Sequence, residues 1–175
     1  TTNREKSEQF RILKQNFNGN GNYDYEDLAY VLFKRYEAKA NLEESLKANP
    51  GSWLMTYFIH FSKWLLYDKM GKYATDPFRV LLSAFYTYLF FTFLHYIIPF
   101  FFTEPSYNFP NDTPMNEFMR LGVTMYSSAI TFFTVGYGEF LPLNWMARTT
   151  AAIEPFFGTF MMAYFTVAFA RKILR

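Results

Sequence analysis

Residues 80–102 carry no Asp, Glu, Lys or Arg and are dominated by Leu, Ile, Phe and Tyr. An uncharged run of about 23 residues is long enough to cross the ~30 Å hydrocarbon core of a bilayer as a helix. A second such stretch, about 145–170, is interrupted only by Arg148 at one end and by Glu154. Its part from 149 to 170 would rise roughly 33 Å. In lipid the backbone must satisfy its own hydrogen bonds, so two runs of this kind predict an all-α membrane protein with two transmembrane helices.

The segment between them supplies a third apolar element that is too short to span. Residues 103–112, rich in proline, read as an external turret, and Thr113-Pro114 can start a helix that Gly122 interrupts. Residues 123–133 are apolar or small and reach only ~17 Å as a helix, so they must enter and leave by the same face. Such re-entrant backbone requires burial in protein or a water-filled cavity. The negative end of its helix dipole then favours a cation. Directly after it comes Thr134-Val135-Gly136-Tyr137-Gly138. Stacking the carbonyls of such a loop along one axis needs alternating backbone conformations, and Gly136 and Gly138 accept positive φ without a Cβ penalty. Val135 and Tyr137 then point outward as packing wedges, and the Thr134 hydroxyl adds an oxygen at the inner end.

Of the 17 Lys and Arg, only Arg120 and Arg148 lie between Arg79 and Arg171. The positive-inside rule therefore predicts a multi-pass cell-membrane protein with both termini cytosolic and the loop opening outward. A net charge of +2 does not suggest a nucleic-acid partner. With no cysteine there is no thiolate site or disulfide. No nucleophile–base or metal constellation appears, so an enzyme is not expected. Residues 1–30 contain no apolar run of the signal-peptide kind.

Residues 1–51 read as a cytosolic helical hairpin. Phe10, Ile12, Leu13 and Phe17 share one side of a basic first helix, and Leu28 to about Ala48 form the second. Between them Asn16, Asn18, Asn20, Asp24 and Asp27 place oxygen side chains at the spacing of an EF-hand loop, with Gly21 at its sharp turn. Asn in the first three positions and Asp27 in place of the bidentate Glu leave few formal charges, so a calcium site here would bind weakly. The competing reading is a plain hairpin turned at Gly21 and Asn22, with Asp24 or Asp27 capping the next helix. The spacing of Gly21, Tyr23 and Ala29 also looks like half a tetratricopeptide hairpin. Residues 52–76 form an interfacial helix, capped by Ser52, and a polar connector. Thr56, His60, Lys63 and Tyr67 make a narrow polar stripe on an otherwise apolar helix about 22 Å long, suited to lie along the inner leaflet. His95, inside the first span, is expected to be packed or hydrogen-bonded; pH sensing is the other reading.

From residue 77 to residue 175 the arrangement resembles the pore of a two-transmembrane potassium channel. Thr131-Phe-Phe-Thr134-Val-Gly-Tyr-Gly fits the filter pattern of that family, and Pro142 and Arg148 follow it at the usual positions. Ile153-Glu154, Gly158 and Phe169-Ala170-Arg171 are similar to the inner helix of bacterial inward-rectifier relatives, and the interfacial helix to their slide helix. The resemblance implies a homotetramer in the lipid bilayer. Carbonyls of Thr134, Val135, Gly136 and Tyr137, closed off by Gly138, would replace the water shell of the permeant K⁺; no other cofactor is implied. It assigns Gly158 as gating hinge and turns Thr159, Met162, Thr166 and Ala170 toward the cavity, Met162 implying weak polyamine block. Glu139, where the family has Asp, would form a carboxylate ring at the outer mouth. Ile130 stands where some relatives have a Glu, and Tyr126-Ser127 replaces an aromatic pair. Glu154 would lie behind the filter with Thr131, hydrogen-bonded to Ser127, Ser128 or Thr131. The residues leave a potassium uptake subunit, a weakly selective cation channel and a non-conducting regulatory subunit as alternatives. The N-terminal hairpin is a candidate docking point for a cytosolic regulator.

Overall fold

The computed structural model describes residues 1–101, 106–108 and 116–174. Every regular element among them is a helix. These are α1 (Asn3–Gly19), α2 (Tyr23–Ala48), α3 (Trp53–Lys63), α4 (Pro77–Phe101), α5 (Glu117–Phe132) and α6 (Trp145–Ile173). The chain divides into two units, Thr1–Val80 with Thr166–Arg175, and Leu81–Phe165. Phe102, most of the expected turret, the Thr113-Pro114 helix start and Arg175 lie outside the described residues.

In the first unit, α1 opens with a capping box. Thr2 Oγ1 accepts from the Glu5 amide at 3.2 Å, and the Glu5 carboxylate accepts from the Thr2 amide at 3.1 Å. The chain reverses at Gly21, whose φ of +69° suits glycine. α2 then returns antiparallel, with Phe17 against Tyr25, Phe10 stacked on Tyr36 at 5.5 Å and Arg4 paired with Glu44. Two expectations need correcting. Ile12 and Leu13 stay exposed, because the seam follows Ser7, Phe10 and Phe17 instead. And α2 starts at Tyr23 rather than at Leu28, so Asp24 and Asp27 belong to its first turns.

A short 3-10 turn, Pro50–Ser52, leads into α3. Ser52 sits at the cap position but does not cap; its hydroxyl donates to the Asn49 carbonyl at 3.3 Å. α3 buries none of its residues and continues as a wider turn of helix over Trp64–Lys69. Its polar stripe, Thr56, His60, Lys63 and then Tyr67, lines a cleft of about 850 Å³ facing α2, while Trp53, Leu54, Phe58 and Phe61 are exposed. Arg35 of α2 clasps the buried Asp68 with two bonds of 2.9 and 2.8 Å. That hydrogen bond pushes the Arg35 guanidinium pKa up.

α4 and α6, of 25 and 29 residues, are both long and apolar enough to cross a membrane. α5 differs from expectation. It is one helix from Glu117 to Phe132, running through Gly122 without a break. A glycine inside a helix costs only about 1 kcal/mol relative to alanine. Burial of Thr124, Ser127, Ser128, Ile130 and Phe132 along one α5 face outweighs it. At roughly 24 Å the helix still falls short of a bilayer. Asn144 caps α6 by accepting from the Ala147 amide at 2.8 Å. A single bridge pairs Tyr107 with Pro142, flanked by bonds from the Asn108 amide to the Leu141 carbonyl and from the Leu143 amide to the Ser106 carbonyl.

Candidate functional site: the loop after α5 and the polar network around Glu154

The loop after α5 is hung from the end of that helix. The Ile130 carbonyl accepts from both the Val135 and Gly136 amides, at 2.9 and 3.2 Å, and the Thr131 carbonyl from the Thr134 amide at 3.0 Å. These are carbonyls a helix terminus leaves without intrahelical partners, so the loop start satisfies them. Positive φ then recurs at alternate residues, +57° at Thr134, +57° at Gly136 and +81° at Gly138. Glycine was the expected residue for such angles; Thr134 adopts one without that freedom, its hydroxyl donating to the Phe133 carbonyl at 2.7 Å. Val135 and Tyr137 remain 49% and 70% exposed on the single chain.

Glu154 of α6 is fully buried, and a buried carboxyl group requires partners. Ser128 of α5 donates to its Oε1 at 2.5 Å. His95 of α4 places Nε2 3.1 Å from its Oε2. The Tyr107 hydroxyl is also 3.1 Å from that nitrogen, and Ser106 donates to the His95 backbone carbonyl at 2.5 Å. Burial, and then the Glu154 carboxylate, push the Tyr107 phenol pKa up, which keeps its hydroxyl a hydrogen-bond donor. Two side chains from other helices thus meet one carboxyl group, and the segment carrying Ser106 and Tyr107 holds the histidine. Of the three partners proposed for Glu154, Ser128 is the one bonded; Thr131 and Ser127 direct their hydroxyls to the Ser127 and Thr124 carbonyls. His95 and Tyr107 were not foreseen as partners, although a histidine within an apolar span was the available signal.

Gly158, one turn along α6 from Glu154, lies against the end of α5. A Cβ built on it would come within 1.8 Å of the Phe132 carbonyl oxygen. α6 is helical straight through this position.

A family model described as "Ion channel" matches residues 80–175. The chain belongs to this ion channel family. The match begins within three residues of the region that resembles a two-transmembrane potassium channel pore, 77–175. With its two long apolar helices the channel is a membrane protein. Neither a curated protein nor a solved structure matches the chain.

In the channel, Glu139 accepts a 2.6 Å hydrogen bond from Tyr126, so the substituted aromatic position serves the residue after Gly138. Thr159, Met162 and Thr166 are exposed and Ala170 half-buried on the single chain, whereas Glu154, Gly158, Met161 and Ala168 form the buried side of α6. At the hairpin, Asn16 and Asn18 lie within α1 and Asn20 caps it, while Asp24 and Asp27 lie in α2. These five do not form an open twelve-residue loop, and Asp24 and Asp27 face Lys172 and Arg171 instead, at 3.2 and 3.0 Å. No group of three or more His, Asp or Glu fit to hold a metal occurs among the described residues.

Proposed function

We propose that the chain is one subunit of a homotetrameric potassium channel, conducting K⁺ passively through a fourfold Thr134-Val135-Gly136-Tyr137-Gly138 filter and gated at α6. The observation that carries this reading is the alternation of positive φ at Thr134, Gly136 and Gly138. With every second residue turned over, successive carbonyls can face the same axis, which a filter that replaces ion hydration requires. One chain supplies a quarter of such a ring, so a closed cyclic tetramer follows. The exposed Val135 and Tyr137 are then covered by neighbouring subunits and by the pore helices around them.

In this reading α4 and α6 cross the bilayer with both termini cytosolic, α3 lies along the inner leaflet, and α5 is the re-entrant pore helix. Glu139 rings the outer mouth, Thr159, Met162, Thr166 and Ala170 line the cavity, and Gly158 is the place where α6 bends on opening. The deciding experiment is the reversal potential of the purified protein in planar bilayers, with K⁺ on one side and Na⁺ on the other. A value near the potassium limit, with current blocked by barium, is expected. Robust current reversing near zero would overturn K⁺ selectivity and leave a non-selective cation channel.

A further inference from the structure

The last turn of α6 ends in Arg171 and Lys172, and α2 begins with Asp24, Asp27 and Tyr30 at helical spacing on one face. Arg171 Nη2 lies 3.0 Å from Asp27 Oδ1, the two side chains being 23% and 12% exposed. The Arg171 guanidinium also sits 4.3 Å from the centre of the Tyr30 ring, a cation–π contact. Lys172 lies 3.2 Å from Asp24 and 3.9 Å from the second Asp27 oxygen. Each charge also suits its own helix. Carboxylates near the start of α2 meet a positive dipole end, and cations near the end of α6 meet a negative one. Farther along α2, Arg35 clasps Asp68 in the turn that precedes α4.

We propose that Asp27, supported by Tyr30, is a positioning residue for the cytosolic end of α6. In this arrangement α2 is a strut. Its first turns hold the end of α6, and Arg35, about 12 Å further along the helix, holds the approach to α4. The α1–α2 hairpin thereby becomes part of the gate's control rather than a free docking module. This rests on the reading of α6 as the gating helix. The Asp27–Arg171 contact is largely sheltered from solvent, so added salt screens it less than an exposed pair.

The test uses the full chain reconstituted in bilayers and nanodiscs, with Asp27→Asn, Arg171→Gln, the double variant, and the exchange Asp27→Arg with Arg171→Asp. Each single variant is expected to raise open probability by about fivefold or more, with reversal potential and unitary conductance unchanged. The double variant should add nothing further, and the exchange should return most of the wild-type behaviour. Hydrogen exchange of the amides at 169–173 is expected to quicken about tenfold in both single variants, whether or not the protein conducts. Wild-type exchange in both variants overturns the proposal. So does unchanged open probability, or additive effects in the double variant. A wild-type protein that passes Na⁺ as readily as K⁺ would instead overturn the selectivity reading, with the exchange experiment still deciding the clamp.

Discussion

The α-carbon of Gly158 packs against the carbonyl of Phe132, so closely that one methyl group would lie 1.8 Å from the oxygen. The neighbour is backbone at the end of α5, which cannot swing aside as a side chain could. Glycine at this position is therefore required by contact, whatever bending it also permits. Gly158→Ala should loosen α6 from α5 at a cost of about 1–3 kcal/mol or more, the range for overpacking. Thermal dissociation of the purified oligomer should occur at lower temperature than in the wild type. A variant that melts normally yet gates abnormally would leave flexibility as the sole role of this glycine.

Glu154 should be far less tolerant of truncation than of isosteric change. Removing the carboxyl group in Glu154→Ala leaves the Ser128 hydroxyl and the His95 ring without that partner, and each buried polar group left unsatisfied costs about 1–3 kcal/mol. Glu154→Gln retains an acceptor for Ser128 and should cost much less. Oligomer yield and melting temperature in the two variants provide the check. Equal melting of Glu154→Ala and wild type would show that the network carries no weight.

The φ of +57° at Gly136 makes a prediction about selectivity rather than folding. Alanine in that conformation costs roughly 1 kcal/mol, little enough for assembly to survive. Relief of that strain by peptide rotation would carry a carbonyl off the axis. Gly136→Ala should therefore assemble but reverse nearer zero in the K⁺/Na⁺ gradient, and full retention of selectivity would argue against carbonyl coordination here.

His60 links the α2–α3 cleft to pH. Burial, and then Lys63, hold its pKa below the ordinary imidazole value of 6.5. A lowered folded pKa means stability is complete above 6.5 and is lost as pH falls through the folded value. The protection of α3 amides, taken relative to the intrinsic base-catalysed exchange rate at each pH, should fall as pH drops below about 6.5, and His60→Gln should remove that dependence. An identical pH response in the variant would assign the effect to another group.

The Asp27–Arg171 pair shows what the sequence leaves open. Asp24 and Asp27 suit either a hairpin's second helix or the spacing of calcium ligands, and nothing in their neighbourhood names Arg171 and Lys172, at the far end of the chain, as the groups they pair with. Gly122 suggests a break because propensity is local, whereas the helix is held through this exposed position by residues such as Thr124, Ser127 and Ser128, which tertiary packing buries on its other side. Apolarity groups Ile12 and Leu13 with Phe10 and Phe17 on one side of α1, yet both stay exposed while the seam follows Ser7, Phe10 and Phe17.

What the sequence determined by itself was whatever depends on unbroken local chemistry. The long apolar runs give α4 and α6, the short apolar run gives α5, the glycines at 136 and 138 give the turned-over loop, and Glu154 demands a partner. Each follows from properties of contiguous residues: length against bilayer thickness, or the absence of a Cβ. Only the tertiary structure decided which partners met. His95 reaches Glu154, the Phe132 carbonyl fills the space beside Gly158, and Arg171 pairs with Asp27. Contacts between residues far apart in the chain depend on how helices pack, and packing leaves no periodic trace in the residues it joins.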